Sequence, residues 1–446
     1  MKNSEFIYPN VNIFKRLKAL FRAAGFGYQF YKTKRRSFFS TTQIKAFQEL
    51  KLKALLNHAY NKVVYYRRLF DRNNIKPQDI KTIEDLSRIP VTLRETFQAV
   101  PIDERTPKGL DVARCGNLRT SGSTGMPLDI FVDVRDASRR LFFLRMCLES
   151  GRHINDKMLF IVTPHSFLPQ QWFHPCMHSL KILRERYLSL DNKTGYLLNE
   201  LKSYKPDIVL SYPSIIKELA LQIAKKGITG IRPRMVFTTG EMLSNSDRAL
   251  ISSVFKAEVF DYYACNECGI IAWECKEHSG YHIDSDNVIV ELVRDGKRVP
   301  IGEEGEVVIT ALNSHTMPFI RYKLGDTAVL SDKRCSCGVN LALCKVIIGR
   351  IYDHIILPGG KRLSPYHLTC AIENIAGVRK YQVVQASMDM IEVKVVKDEK
   401  FSNKTVSDTE MSLKRLTGGK MGIKITVVED IGSSKGKFST VASRIA

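Results

Sequence analysis

Between Thr120 and Gly125 the chain places two glycines and four hydroxyl residues, within the string RTSGSTGMPL. Such a loop offers closely spaced backbone N–H groups and hydroxyl donors to phosphate oxygens. It is not a Walker A loop, because no Gly-Lys-Ser/Thr follows. Taken alone, the same letters also describe an ordinary Ser/Thr/Gly turn. A second centre lies in the cysteines. Of ten, six fall in two groups, Cys265, Cys268 and Cys275, then Cys335, Cys337 and Cys344. Cys275 and His282 in WECKEHSGYHID, with Cys335 and Cys337 in RCSCGVNLALC, offer three thiolates and one imidazole from two turn-like segments. That set suits a closed tetrahedral Zn2+ site. His278 is an alternative imidazole, Cys344 a spare thiolate, and a group of reduced, unligated thiols is the alternative.

The elements that must hold these groups follow from periodicity. Residues 44–75 read as one helix, and TIEDLSRIPVTLRETF offers Thr82 as the N-cap of another, with Glu84 and Asp85 in its first turn. From about residue 115, apolar runs such as MLFIV, IVLSY, MVFTTG and EVFDYY alternate with helical stretches such as Ser214 to Lys226. That alternation implies an α/β sheet. Residues 287–331 are strand-rich and turn-punctuated, as a β subdomain would be. After Gly349-Arg350 the pattern restarts, with a helix from about Tyr366 and strand-like runs YQVVQA and IEVKVV. The expected organisation is an α/β chain with a large domain over residues 1–350, containing a helical N-terminal region, mixed sheets and a β subdomain, and a small α+β domain over 351–446.

The chain has 446 residues, 44% hydrophobic and 26% charged, which are globular values without a bilayer-spanning apolar stretch. Lys and Arg outnumber Asp and Glu by 68 to 46, giving net +22, a field that attracts phosphates, nucleic acid or an anionic membrane. No zinc-finger, homeodomain or RNP-like string accompanies that charge, so nucleic acid is not an expected partner. The first 36 residues carry nine basic residues against Glu5 alone, with Phe14, Leu17, Leu20 and Phe21 at helical spacing. This predicts a basic amphipathic helix, either packed with a solvated basic face or touching a membrane peripherally. Charges interrupt every candidate signal-peptide core, and the cysteines read as reduced, so a cytoplasmic setting is expected.

The glycine-hydroxyl loop is followed in order by TTGEML (238–243), DYYACNE (261–267), RYKLGD (321–326), GRIYDHIILPGGKRLSP from Gly349 and SSKGKF from Ser433. This ordered series resembles the adenylate-forming superfamily of acyl-CoA synthetases and peptide-synthetase adenylation domains. LLNHAYNKVVYYRRLF with DLSRIPVTLRE is similar to its phenylacetate-CoA ligase and CapK-like capsule-biosynthesis branch. The resemblance covers nearly the whole chain. It implies an adenylate-forming fold with a mobile C-terminal lid, and activation of a small carboxylic acid by ATP and Mg2+ as acyl-AMP, followed by transfer to the thiol of CoA. Transfer to an amine or sugar in surface polysaccharide synthesis is an alternative, and a non-catalytic nucleotide-binding scaffold is a second.

By matching position, the resemblance gives Thr120, Ser121, Gly122, Ser123, Thr124 and Gly125 to the phosphates, and Gly240 with Glu241 to the nucleotide side. Tyr263 would stack on adenine, Asn266 would stand in the nucleotide loop, and Glu267 would bind Mg2+. Asp326 would take the ribose hydroxyls, with Arg350 assisting from the hinge near Asp353. Lys437 would reach into the site during adenylation as a mobile point charge, with Lys435 as a solvated neighbour. The branch also favours His282 over His278 in the Cys/His set. Cys265 and Cys268 bracket Glu267 and read as packing. Three positions depart from the family pattern: Ala264 for Gly, Asn266 for Thr and Met126 for Lys. Asn266 keeps hydrogen-bonding capacity.

Overall fold

The computed structural model describes residues 13–119, 128–134, 136–163, 182–350, 354–360, 362–363, 365–372, 375–431 and 441–443. The side chains of residues 13–23, 348–350, 362, 365–366 and 370 fall outside that description. The N-terminal region is helical: α1 (Ile13–Arg36), α2 (Thr41–Lys62) and α3 (Val64–Arg72), then the short α4 (Arg94–Ala99) and α5 (Ile102–Arg105). A capping box starts α2, with Ser40 and Gln43 each accepting from the other's backbone N–H. The single helix expected over 44–75 is broken at Val63, which is buried and extended (φ −115°, ψ 116°). Adjacent β-branched residues, Val63 and Val64, weaken helical continuity there. The helix expected after Thr82 is a single 3-10 turn, Glu84–Arg88. Thr82 donates to Asp85 instead of capping, and Pro90 disfavours helical geometry at the residue before it.

A hairpin of β1 (Gly116–Arg119) and β2 (Asp129–Val132) precedes α6 (Ser138–Glu149). Twelve strands follow in one sheet: β3 (Lys157–Val162), β4 (Arg184–Ser189), β5 (Ile208–Ser211), β6 (Met235–Thr239), β7 (Glu258–Cys265), β8 (Gly269–Glu274), β9 (Tyr281–Ile283), β10 (Val288–Arg294), β11 (Lys297–Arg298), β12 (Glu304–Ala311), β13 (Tyr322–Ser331) and β14 (Leu343–Arg350). Their order is β11-β10-β12-β13-β14-β9-β8-β7-β6-β5-β3-β4. The run from β4 to β7 is parallel. Its strands β3, β5 and β6 are nearly continuous apolar runs, because helices such as Pro213–Lys226 and Asn245–Phe255 cover them. From β8 onward the pairings are antiparallel. The strand-rich stretch expected as a β subdomain therefore continues the main sheet through β14 and β9.

Residues from Ile355 onward gather a core of their own, including Ile355, Leu368, Val383, Val393, Leu413 and Val441. Here β15 (Ile355–Ile356) pairs β16 (Arg362–Leu363). A second sheet is ordered β19-β18-β17-β20, from β17 (Val378–Ser387), β18 (Met390–Lys397), β19 (Gly422–Val427) and β20 (Val441–Ser443). The helices Pro365–Ile372 and Asn403–Thr417 belong to the same region.

Buried arginines fasten α6. Arg145 is fully buried between Asp284 and Asp286, 2.6 Å from the latter. Trp273 Nε1 donates to Asp284 at 3.0 Å, and Arg36 Nε at the end of α1 donates to Asp286 at 2.5 Å. Burial works against both carboxylates. The guanidiniums of Arg145 and Arg36 still hold Asp286 below its ordinary range, while burial pushes Asp284 up to about 6 against the pull of Arg145.

A second buried acid sits on β7. Asp261 accepts from Thr238 on β6 at 2.6 Å and from Tyr281 on β9 at 2.9 Å, while its backbone N–H donates to Glu274 on β8. Arg248 of the helix Asn245–Phe255 grips Glu274 with 2.8 and 3.0 Å bonds. Burial, and then the Glu274 charge, push Asp261 from 3.8 up to about 7. The folded chain thus keeps a proton that the unfolded chain releases near 3.8, so this group's stabilisation is complete below that pH and fades as pH rises through about 7. Asp261→Asn should therefore gain melting temperature relative to wild type at pH 8 and little at pH 5. Thermal scans at both values check this, and an equal difference at the two pH values would contradict it.

Candidate active site and candidate metal centre

The β7–β8 turn carries Glu267, 4% exposed, and the surrounding bonds fix where that carboxylate stands. Arg139, in the first turn of α6, donates to the carbonyls of Asn266 (2.8 Å) and Glu267 (3.1 Å). Ser314 Oγ donates to the Glu267 carbonyl, and Asn287 Nδ2 to those of Cys268 and Ile270. The side chain faces Arg94 of α4, whose guanidinium is 4.0 Å from Oε1. With its backbone so held and the Arg94 guanidinium at a distance, the carboxylate is of the type that binds a hard divalent cation. Asn266 reaches the other way and donates to the carbonyl of Arg119, at the end of β1. The phosphate-loop candidates Thr120, Ser121, Gly122, Ser123, Thr124 and Gly125 lie outside the described residues. The hairpin register Arg119↔Asp129 fixes where that segment leaves and returns. Glu267 also borders a cleft lined by Phe131, Asp133, Arg139, Asn313, His315 and Met317.

Tyr263 and Asp326 come from strands four steps apart in the sheet, β7 and β13. A flat sheet would separate them by roughly 19 Å at about 4.8 Å per strand. Tyr263 Oη nevertheless donates to Asp326 Oδ2 at 2.5 Å, so the sheet curls and brings the two motifs together. Burial and then the Asp326 charge hold the Tyr263 phenol well above its ordinary range, which keeps it a donor. Asp326 pairs with Arg350 across β13 and β14, although the Arg350 side chain lies outside the described residues. Arg321 ties RYKLGD to the N-terminal region, donating to the carbonyls of Ser87 and Ile89 and to Glu291.

Gly240 follows β6 with φ +78°, a left-handed conformation that glycine adopts without strain. The Glu241 carboxylate accepts from the backbone N–H and Oγ of Ser214, at the start of the helix Pro213–Lys226. Its charge is committed to that helix N-terminus, where anions are favoured. Lys437, Lys435, Met126 and Asp353 lie outside the described residues. Arg94, Arg139, Ser314 and Asn287 were not singled out from the sequence. The available signal for Arg139 was four arginines between Arg139 and Arg152 in and just after a largely apolar helix, which charge patterning alone assigns to solvent.

The Cys/His set assembles fully. One ligand atom from each of Cys275, His282, Cys335 and Cys337 lies within 4.8 Å of every other. Cys275 and Cys335 sulfurs are 3.5 Å apart, and Cys337 Sγ is 3.3 Å from His282 Nε2. Thiolates bound to Zn2+ at about 2.3 Å in a tetrahedron would stand ~3.8 Å apart, so the donor set fits that ion in number, type and spacing. Burial drives the His282 imidazole down to about 4, against the opposing pull of the Leu341 backbone, leaving it neutral as a ligand requires. His278 is directed elsewhere, to Glu274 and Glu258. Gly280 lets the chain turn between the ligands: at φ +138°, a Cβ there would stand 2.8 Å from the Cys344 carbonyl oxygen. Cys344 itself bonds to the carbonyls of Val329 and Val346, outside the tetrad.

Residues 355–444 match the family model of the CapK C-terminal domain. The phenylacetate-coenzyme A ligase of Thermus thermophilus is 26% identical over 387 residues, covering 80% of this chain and 82% of the relative. Protein CapK of Staphylococcus aureus is 22% identical over 401 residues, 87% of this chain and 86% of that one. Among solved structures, 2-hydroxyisobutyryl-CoA ligase in the postadenylation state with R3-HIB-AMP superposes with a TM-score of 0.78, at 18% identity over 92% of each chain. By sequence the chain is a homologue of the phenylacetate-CoA ligases and of CapK, and its fold is that of the adenylate-forming CoA ligases.

Proposed function

We propose that this chain activates a carboxylic acid with ATP to give an acyl-AMP and pyrophosphate, and then transfers the acyl group to the thiol of CoA. The carrying observation is the contact of Tyr263, in the motif that also carries Glu267, with Asp326 of a motif 63 positions away. The acyl acceptor named for the phenylacetate-CoA and 2-hydroxyisobutyryl-CoA ligases supports CoA as the acceptor. An arylacetate is the first acid class to test.

In the adenylation step a carboxylate oxygen attacks the α-phosphorus and pyrophosphate leaves, so the site must offset charge on two anions. Asp326, fixed by Tyr263, would accept from the ribose hydroxyls, and the Tyr263 ring would line the base. Residues 120–125 would wrap the β and γ phosphates beside Asn266. Glu267 would hold Mg2+, which when bound neutralises phosphate oxygens. Arg94 lies close enough to offset charge there without displacing the ion. Lys437 would bridge the substrate carboxylate and the α-phosphate, with Arg350 at the hinge between domains 1–350 and 351–446. Closure of the smaller domain would exclude water while the acyl-AMP exists.

Pyrophosphate release should be stimulated by one acid of an aromatic, fatty, hydroxy and amino acid panel, and CoA should be consumed with it. Lys437→Ala should lose release by roughly 100-fold or more, the scale of removing one transition-state charge contact, yet still make thioester from supplied acyl-AMP. Equal loss of both half-reactions would overturn the lysine's role. The match to the CapK C-terminal domain supports a second reading, transfer to an amine or sugar of a surface polysaccharide. Release without CoA consumption would favour it. A non-catalytic scaffold, motivated by Ala264, Asn266 and Met126, would bind ATP and release nothing with any acid.

We also propose that Cys275, His282, Cys335 and Cys337 hold a structural Zn2+. The same loop grips the N-terminal helices, since Asn340 donates to the carbonyls of Ser37 and Phe38. Cys335→Ser should lower bound zinc and melting temperature together. Metal-free wild type of unchanged stability would remove this site.

A cytoplasmic location with peripheral contact to an anionic membrane completes the reading. At the end of α1, Tyr28, Tyr31 and Phe38 are exposed beside Lys32, Lys34 and Arg35. Among the described residues no helix is long and apolar enough to cross a membrane. Co-sedimentation with phosphatidylserine vesicles that weakens with salt is the expected result, and equal recovery with neutral vesicles would argue against it.

A further inference from the structure

The turn that presents Glu267 is framed by two thiols. Cys265 ends β7, Cys268 directly precedes β8, and both are free cysteines. Their sulfurs are 3.5 Å apart, and neither belongs to the Cys275/His282/Cys335/Cys337 group. A disulfide spans Cα atoms roughly 4.4–6.8 Å apart, a separation that the first and fourth residues of a tight turn can meet. Closing the sulfurs from 3.5 Å to about 2.05 Å needs side-chain rotation and a small shift of the turn. Cys265 is partly exposed and Cys268 is buried, and burial holds the Cys265 thiol well above its ordinary range, so exchange at this pair is slow.

We propose that Cys265 and Cys268 form a reversible disulfide that impairs the nucleotide site by displacing Glu267. The oxidant is a small disulfide of the oxidised-glutathione type. The Cys265 thiolate attacks one of its sulfurs, forming a mixed disulfide and releasing one glutathione thiolate. The Cys268 thiolate then attacks the Cys265 sulfur, closing the internal bond and releasing the second. The two thiol protons pass to the two leaving thiolates; the protein is oxidised by two electrons and glutathione disulfide is reduced by two. The consequence is local. The carbonyls of Asn266, Glu267 and Cys268 are held by Arg139, Ser314 and Asn287, so a shift of the turn disturbs these bonds and bears on Glu267, whose side chain faces Arg94.

The effect on nucleotide rests on the reading of Glu267 given above; formation of the disulfide does not. The test equilibrates the whole protein, purified in the presence of Zn2+, in glutathione buffers from fully reducing to fully oxidising, over hours. Each sample is alkylated and digested, and the peptide carrying both cysteines is weighed. ATP binding in the presence of Mg2+ is measured on the same samples by calorimetry. The expected result is loss of two hydrogens from that peptide without alkylation. ATP–Mg2+ affinity should fall by roughly ten- to a hundredfold, the range seen when the support of a metal ligand is disturbed, and dithiothreitol should restore it. Cys265→Ser and Cys268→Ala should each keep their starting affinity at every ratio, and either one that folds suffices. Peptides with Cys275, Cys335 and Cys337 report those thiols in the same digest. A doubly alkylated peptide at the most oxidising ratio, glutathione retained on Cys265 without closure, or a disulfide with unchanged affinity would each overturn the proposal. Reduced wild type that binds no ATP would instead refute the nucleotide reading, and the mass measurement would still decide the disulfide.

Discussion

The arrangement depends on the way α6 spends its arginines. Arg145 is buried with two carboxylates, Asp284 and Asp286, and a buried guanidinium is tolerable only where charge and hydrogen bonds compensate it. That requirement fixes the rotation of α6 against β8 and the β9–β10 connection. Arg139, nearly two turns earlier on the same helix, is thereby brought to the carbonyls of the Glu267 turn. Arg36 completes the charge balance from α1, so the N-terminal helices are tied into the same network. Removing one partner would leave an uncompensated charge in the interior, a far larger loss than breaking an exposed pair such as Lys45 with Glu84.

The second organising feature is curvature. Antiparallel strands from β8 to β14 turn the sheet round until β13 faces β7 closely enough for Tyr263 to donate to Asp326. The candidate zinc cluster sits at the hinge of that curl, where β9 and β14 pair and the Cys335–Cys337 loop returns. A metal there would join two segments that share few main-chain bonds, and its binding energy would count directly toward folding.

The departures from the superfamily pattern acquire local explanations in part. Asn266 stands where a threonine is usual, and its longer amide reaches the Arg119 carbonyl at the end of β1, just before the candidate phosphate loop. Nothing in the structure explains Ala264. Glu241, a nucleotide-side candidate by position, has its carboxylate held by Ser214, so a role there falls to its backbone. The cysteines around Glu267 look like packing from sequence, and the structure places their sulfurs 3.5 Å apart against the main core.

By itself the sequence determined the α/β alternation, the order of the nucleotide-side motifs and the identity of all four metal-site candidates. These follow from local periodicity, from short strings whose members act together, and, for the metal candidates, from soft-ligand types joined to the family resemblance that favours His282 over His278. It also misjudged local breaks, at Val63 and after Thr82, where a β-branched pair and Pro90 outweighed the helical pattern. Only the tertiary structure decided which residues support the site. Arg94, Arg139, Ser314 and Asn287 act through contacts spanning up to 173 positions in the case of Arg94 with Glu267, and no periodicity records a partner at that distance. The pairing of Tyr263 with Asp326 was likewise decided by sheet curvature, a collective result of strand twist that no single segment encodes.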